Sequence, residues 1–236
     1  MAAGTPAWAA RPLITEDTGT LDPGQVELEL GVDYTRDGRS HLFLLPGGPV
    51  LNVGLLPRLE GAIGTALVLS DSGAGPTHAG AADLQARVKY RFVDESPSVP
   101  ALMGAVVMRF PTGDETRGLG DPGVDVRPLA VASKTFGAVT ITVNAGYTFV
   151  THDRTLDVVN LETSAEVRMS EAWTLVGEVV SELATSRDVR DSAIVRAGVV
   201  YALGQRLKLD AAVAVGVTRT SPDLIVTIGF TYLLRR

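Results

Sequence analysis

Apolar residues recur at every second position along nearly the whole chain of 236 residues. A period of two is typical of β-strands, whose successive side chains point to opposite faces, whereas a helix has a period of 3.6. In the first such segment, Val26, Leu28 and Leu30 alternate with Glu27 and Glu29. The pattern therefore predicts an all-β chain whose strands each have one apolar face and one polar face.

The predicted strands are long for a soluble sheet. Many have ten or more residues, whereas strands of soluble proteins usually have about five or six, and a tilted strand needs roughly 9–11 to cross a bilayer. The second and sixth segments are the least regular, because they contain Pro46, Pro49 and Pro128, and a proline within a strand implies a bulge or an edge position. The twelve predicted segments are residues 24–36, 40–56, 59–70, 82–93, 100–111, 123–135, 137–151, 156–169, 172–184, 192–203, 206–219 and 223–235.

The connections between these segments alternate between short and long. Residues 56–58 and 170–172 form tight turns, whereas the linkers 71–82 and 111–122 are longer and more polar. An even number of strands, with short turns at one end and longer loops at the other, is typical of outer-membrane barrels. Aromatic residues also fall toward both ends of the segments, as two interfacial belts require. We therefore predict a twelve-stranded antiparallel transmembrane β-barrel over residues 24–236, with both termini in the periplasm.

Composition excludes several other classes of protein. The mean hydropathy is +0.20 although 20% of the residues are charged, which fits a chain with apolar residues against lipid and charged residues in a lumen. The chain has no cysteine, so it has neither a disulfide scaffold nor a thiolate metal site. A formal net charge of −6 without basic runs makes the chain a poor nucleic-acid binder. We expect no metal and no cofactor.

The polar faces of a membrane-spanning sheet point into the lumen of the closed barrel. By this rule the inward charges are distributed unevenly around the wall. The predicted basic arc, on strands four to six, consists of Arg87, Lys89, Arg91, Arg109 and Arg127. The predicted acidic arc, on strands one, eight and nine, consists of Glu27, Glu29, Glu162, Glu166, Glu178 and Glu182. Two interpretations stay open: the arcs impose a transverse field on passing solutes, or they pair in arginine–carboxylate networks that fill the interior.

Two other segments are candidates for narrowing such a pore. The glycine-rich loop after strand five is a possible constriction, and its charged residues are Asp114, Glu115, Arg117 and Asp121. Residues 1–23 precede the first strand and form either a small periplasmic plug or a disordered tail.

A catalytic role would most readily involve one of the histidines as a general base. His152 is the one histidine beside an acid, Asp153, and a general base would need a nucleophile or a second acid close by. No such arrangement is evident, so we predict no catalytic residue and no enzyme. A distant alternative is an outer-membrane hydrolase.

Four stretches of the sequence are similar to one family of outer-membrane proteins. They are 11–21, 83–92, 110–121 and 173–178. The family is named after the meta-pathway of phenol degradation, and the resemblance spans most of residues 11–234. It implies an outer-membrane β-barrel with a part in the uptake of hydrophobic or aromatic compounds. We therefore expect a passive channel whose partners are outer-membrane lipid, small-molecule solutes and, during biogenesis, the barrel-assembly machinery.

Overall fold

The computed structural model describes residues 11–38, 40–45, 49–71 and 76–235. In these residues, fifteen β-segments combine into twelve antiparallel barrel strands, because strands 2, 3 and 4 are each interrupted once. The strands are 1 (Val26–Asp37), 2 (Ser40–Leu45 and Pro49–Leu56), 3 (Leu59–Gly64 and Leu67–Asp71), 4 (His78–Ala81 and Leu84–Val93), 5 (Ala101–Phe110), 6 (Asp125–Phe136), 7 (Val139–Val150), 8 (Val158–Arg168), 9 (Trp173–Ala184), 10 (Ser192–Leu203), 11 (Leu207–Gly216) and 12 (Leu224–Arg235).

The sheet closes on itself. Strand 12 pairs with strand 1 in an antiparallel register that sets Leu30 opposite Phe230 and Tyr34 opposite Val226. Closure gives every strand a hydrogen-bonding neighbour on both sides, which is what a sheet needs inside a bilayer. The predicted twelve-stranded antiparallel barrel is confirmed.

The two ends of the barrel differ, and we name them by their connections. At the turn end, strands are joined by short links such as the two residues between Leu56 and Leu59 and those between Phe136 and Val139. At the loop end lie the longer connections, such as 111–124 and 151–157. Within the described residues no helix is long and apolar enough to span a membrane.

The wall at the loop end of strands 3 and 4 differs from the prediction. Residues 78–81 were expected in a loop, but they form a strand that pairs with residues 67–70. Gly64 pairs with Gln85 and Leu67 pairs with Ala81. Residues 82–84 of strand 4 therefore lie opposite only residues 65–66 of strand 3, so the ladder cannot continue through them. Two hydrogen bonds hold this break together: Ala82 N donates to the Ala66 carbonyl at 2.7 Å, and Thr65 Oγ1 donates to the Ala82 carbonyl at 3.1 Å. The predicted break at Pro46 lies outside the described residues.

Pro128 lies inside a continuous strand 6 and changes its pairing on one side only. It pairs with Val106 of strand 5. On the other side, the register with strand 7 passes from Leu129 directly to Val126. Because proline has no N–H to donate, the ladder lapses over Arg127 and Pro128.

The distribution of polar and apolar residues is the reverse of that in a soluble protein. On strand 7 the inward side chains of Thr142 and Asn144 are buried, whereas Val143 between them is 46% exposed on the outer face. The same alternation places apolar residues outward on the other strands, among them Leu161, Val179, Val195 and Leu209. An exposed apolar surface this extensive needs lipid around it, and the polar residues needed for function lie inside.

Candidate functional site in the barrel lumen

The predicted basic arc lies on the inner wall, and on strand 4 two of its members contact other residues of the wall. Lys89 is 4% exposed and its Nζ lies 3.3 Å from a Glu60 carboxylate oxygen. Arg87 donates to Asn52 at 2.8 Å and also contacts Glu60. These contacts are with other residues of the wall, which satisfies part but not all of the positive charge.

The remaining partners come from the N-terminal segment, which lies inside the barrel. We call residues 11–24 the plug. It enters at the turn end, where Gly24 N donates to the Gly54 carbonyl at 2.8 Å and Leu21 N donates to Glu60 at 2.9 Å. Gly54 is required at this point, because a Cβ there would overlap the Asp22 carbonyl.

One side of the plug carries negative charge toward the basic arc. Glu16 binds Arg87 and lies 3.8 Å from Lys89 Nζ, and Asp17 lies 3.6 Å from the same nitrogen. Arg91 donates to the Thr18 carbonyl at 3.0 Å. Three of the five predicted basic residues therefore bind the chain's own N-terminal segment.

The other side of the plug binds the acidic wall. Glu178 accepts hydrogen bonds from Ile14 N at 2.9 Å, from Thr15 N at 2.9 Å and from Thr15 Oγ1 at 2.8 Å. Its other neighbour is Arg196, whose Nε lies 3.3 Å away. The Glu178 side chain is completely buried, so these contacts with protein groups take the place of water around its carboxylate.

Arg11 fixes the far end of the plug. Its guanidinium forms a two-point contact with Asp210 at 3.2 and 3.3 Å. The guanidinium lies over Gly31 of strand 1 and Gly229 of strand 12, which face each other across the closing seam. A side chain at either glycine would occupy the space of the guanidinium, so the seam is shaped to receive it.

The other members of the acidic arc have separate environments. Glu29 accepts a hydrogen bond from Asn52 at 2.6 Å. Glu162 accepts from Asn144 at 2.8 Å and from Arg127 at 3.2 Å, so the two arcs meet directly there. Glu27 and Glu166 line a cavity at the turn end, and Glu182 is exposed near the loop end.

The plug separates two cavities. The loop-end cavity has a volume of about 540 Å³ and is lined by Glu16 of the plug. The turn-end cavity has a volume of about 800 Å³ and is lined by plug residues 17–22 together with hydroxyl groups such as those of Ser133, Thr142 and Thr231. Space for solute therefore exists on both sides of residues 16–17.

The predicted constriction loop closes one side of the loop-end cavity. Asp114 caps a short 3₁₀ helix at Glu115–Arg117 and is exposed, as are Glu115 and Arg117. The Asp121 carboxylate is 74% exposed and lies 3.8 Å from Arg109. The buried residue of the loop is Leu119, which packs against Gly80 and lines the cavity.

Asp83 anchors this loop to the wall. Its carboxylate accepts hydrogen bonds from Gly113 N at 2.8 Å and from Asp121 N at 2.9 Å, and it also binds Arg109. Arg109 in turn donates to Asp125 from Nε at 2.9 Å. The two ends of the loop are thus held by one side chain at the break in strand 4.

We expect Asp83→Asn to free this loop. The amide nitrogen cannot accept a hydrogen bond, so one of the two anchored loop ends loses its partner. Trypsin should then cleave after the exposed Arg117 at least roughly tenfold faster in folded protein, because local opening controls such cleavage. Asp188→Asn, in the exposed loop between strands 9 and 10, is the matched control and should leave the rate at Arg117 unchanged. An equal rate in Asp83→Asn and the parent would contradict the anchoring role.

The histidine considered for catalysis lies in the loop 151–157. Its neighbour Asp153 caps the 3₁₀ helix Arg154–Leu156 and accepts from Thr155 N at 2.9 Å. Asp157 closes the loop by accepting from Val150 N at 2.8 Å and from Arg154 Nε at 2.8 Å. Burial alone would raise the pKa of Asp157, but the hydrogen bonds from Arg154 and Val150 outweigh it and lower the pKa below its ordinary value. The acids of this loop thus act as structural caps.

Part of the lumen network lies outside the two predicted arcs. Glu60, Asp83, Arg196 and Asp210 follow the same alternation as the arcs, which predicts that they also face inward, and all four are buried. The contribution of Arg11, Glu16 and Asp17 had no such signal, because the plug has no periodic pattern.

Comparison with solved structures supports the outer-membrane barrel fold. The chain is similar to the COG4313 outer membrane channel from Pseudomonas putida F1, with 14% identity, a TM-score of 0.71, and coverage of 94% of this chain and 100% of that one. It is also similar to the NanC porin, with 9% identity, a TM-score of 0.63, and coverage of 87% and 98%. The fold is that of a bacterial outer-membrane β-barrel. No curated protein sequence matches the chain.

The family follows from the sequence match. The family described as "Putative MetA-pathway of phenol degradation" matches residues 9–234. The chain belongs to this family. The resemblance found in the sequence is thereby confirmed.

Proposed function

We propose that the chain is a passive outer-membrane channel for small solutes, apolar or aromatic ones included, and that its plug narrows the path between two lumen cavities. In this proposal the turn end faces the periplasm, and the protein has no catalytic role. The family description and the similarity to a channel and a porin support transport. The observation that carries the proposal is the pair of cavities, about 540 and 800 Å³, on either side of the plug.

Twelve strands are intermediate between small barrels with filled interiors and large ones with open channels. Lumen volume in such a barrel depends on what occupies it. Here the occupant is a short segment whose binding depends on ion pairs and hydrogen bonds, such as Glu16–Arg87 and Arg11–Asp210, rather than on strand pairing. A segment held in this way can move without disturbing the wall.

A non-conducting barrel is the second candidate, and one observation favours it. The inner wall carries arginine–carboxylate pairs that are internal to the wall, such as Arg109–Asp125 and Arg127–Glu162. Such pairs stabilise a filled interior whether or not anything passes. The two candidates differ in whether current flows.

Conductance in planar bilayers tests the proposal. We expect discrete openings from purified protein whose folding is verified by a heat-dependent shift in gel mobility, because each cavity already holds space for water and ions. The same measurement on the variant lacking residues 1–22 gives the path without its plug. If neither protein produces current above the leak, the channel is refuted and the filled barrel stands.

A further inference from the structure

We infer that the loop-end cavity is a binding site for a small monocarboxylate with a compact apolar body, and that Arg127 binds the carboxylate. The inference rests on the proposed function for its role in transport, since it names the class of solute. The site itself is argued from hydrogen-bonding capacity and from the lining of the cavity.

Among the three arginines that line this cavity, Arg127 makes the fewest hydrogen bonds. Arginine has five N–H donors, and among the described residues Arg127 makes one hydrogen bond, from Nη1 to Glu162 at 3.2 Å. Its side chain is 24% exposed and lines the cavity. Four N–H groups are therefore free to bind a ligand, and a planar guanidinium matches a carboxylate with two parallel hydrogen bonds.

The other two guanidinium groups of the cavity already bind carboxylates. Arg109 donates from Nε, Nη1 and Nη2, to Asp125 and Asp83 among others. Arg87 donates from Nη1 and Nη2, to Glu16, Asn52 and Glu60, and its Nε is buried with no hydrogen-bond partner among the described residues, out of reach of a ligand. Both Asp83 oxygens accept hydrogen bonds from the protein. The lining has three guanidinium groups and three carboxylates, so the preference for an anion comes from the free donors of Arg127 and not from net charge.

The wall beside Arg127 is apolar. Val107 lies directly opposite Arg127 in the register of strands 5 and 6, and it packs against an inner cluster that contains Leu129. Leu119 covers the cavity from the loop, and Val68 contributes from strand 3. A ligand that places a carboxylate on Arg127 would lie with its body against this surface, where burial of apolar area adds to binding.

The size of the cavity limits how large the apolar part of the ligand can be. A volume of about 540 Å³ is within the range of sites for small ligands. It holds a single ring with its carboxylate and several waters. Benzoate therefore serves as the probe, benzamide as its uncharged counterpart and acetate as the carboxylate without a body.

Calorimetric titration of the folded full chain in detergent tests the inference. We expect benzoate to bind at least about tenfold more tightly than benzamide, because charge-assisted hydrogen bonds are the stronger ones. Acetate should bind more weakly than benzoate, because it lacks apolar area to bury. Equal affinity for benzoate and benzamide, or no binding of benzoate above that of the detergent blank, would overturn the site.

Variants then test the contribution of each residue to benzoate binding. Arg127→Gln should weaken benzoate binding by roughly tenfold or more and leave benzamide binding unchanged. Leu119→Ala should weaken benzoate binding by about threefold without affecting acetate. Arg235→Gln, at the opposite end of the barrel, removes the same charge and should change nothing. If Arg127→Gln does not fold, the ligand comparison on the parent and the Leu119→Ala variant decide the matter.

The outcomes separate this inference from the channel itself, because calorimetry does not need current. Protein that binds benzoate but never conducts would refute the channel and keep the site. Protein that conducts but does not distinguish benzoate from benzamide would refute the site and keep the channel. Benzoate that binds equally well to Arg127→Gln and to the parent would refute the role of Arg127.

Discussion

Deletion of residues 1–22 is expected to raise the single-channel conductance several-fold. The plug residues Glu16 and Asp17 lie between the loop-end and turn-end cavities, so their removal joins the two into one water-filled path. The wall does not depend on the plug for its hydrogen-bonded ladder, because strands 1 and 12 close the barrel. Planar-bilayer recordings of the parent and of the deletion measure the change.

A point variant makes the same test without shortening the chain. Glu16→Lys places a third positive charge beside Arg87 and Lys89, and like charges at such short range repel. The plug should then leave its position for part of the time, so that larger and more frequent openings appear. Glu171→Lys makes the same charge change in an exposed turn and should leave the openings unaltered. Conductance that stays at the parental value in both the deletion and Glu16→Lys would show that the plug does not limit the path.

Substitution of Glu178 by alanine is expected to cost roughly 3–5 kcal/mol of unfolding free energy, the usual result of leaving one member of a buried ion pair alone. The Glu178 carboxylate binds the backbone of Ile14 and Thr15, the hydroxyl of Thr15, and Arg196. Its loss leaves Arg196 buried at 7% exposure with no other carboxylate in ion-pair contact among the described residues. Urea unfolding of the protein in lipid vesicles measures the difference.

The same strand offers a matched control for this prediction. Glu182 lies on the same face, four residues nearer the loop end, and it is exposed. Glu182→Ala should therefore change the unfolding free energy by about 0.5 kcal/mol or less. Equal effects at the two positions would mean that the contacts between Glu178 and the plug contribute nothing to stability.

Most of the barrel could be predicted because its signal is local. Alternation within each strand identifies the inward face, and Glu162, Glu178 and Arg109 lie on that face in the strand register. The exceptions are the breaks in strands 3 and 4. They depend on how many residues of one strand oppose those of the next, which a single strand's pattern does not contain.

The contents of the lumen could not be predicted in the same way. The contact between Ile14 and Glu178 joins residues 164 positions apart, and that between Arg11 and Asp210 spans 199. The alternation shows which face of a strand a residue occupies, but it does not show which distant residue will contact it. The separation of the charges into two arcs was visible, and residues 1–23 were considered as a plug, but nothing in the sequence indicates that this segment binds both arcs.

By itself, therefore, the sequence determined an all-β transmembrane barrel, its strand number and which charges face inward, because strand geometry converts a period of two directly into two faces. The tertiary structure decided what those charges bind. Closure of the sheet brings opposite walls within reach of a short segment, and only then do Glu16 and Arg11 find Arg87 and Asp210. The same closure places Arg127 beside an apolar wall with N–H groups that have no hydrogen-bond partner among the described residues.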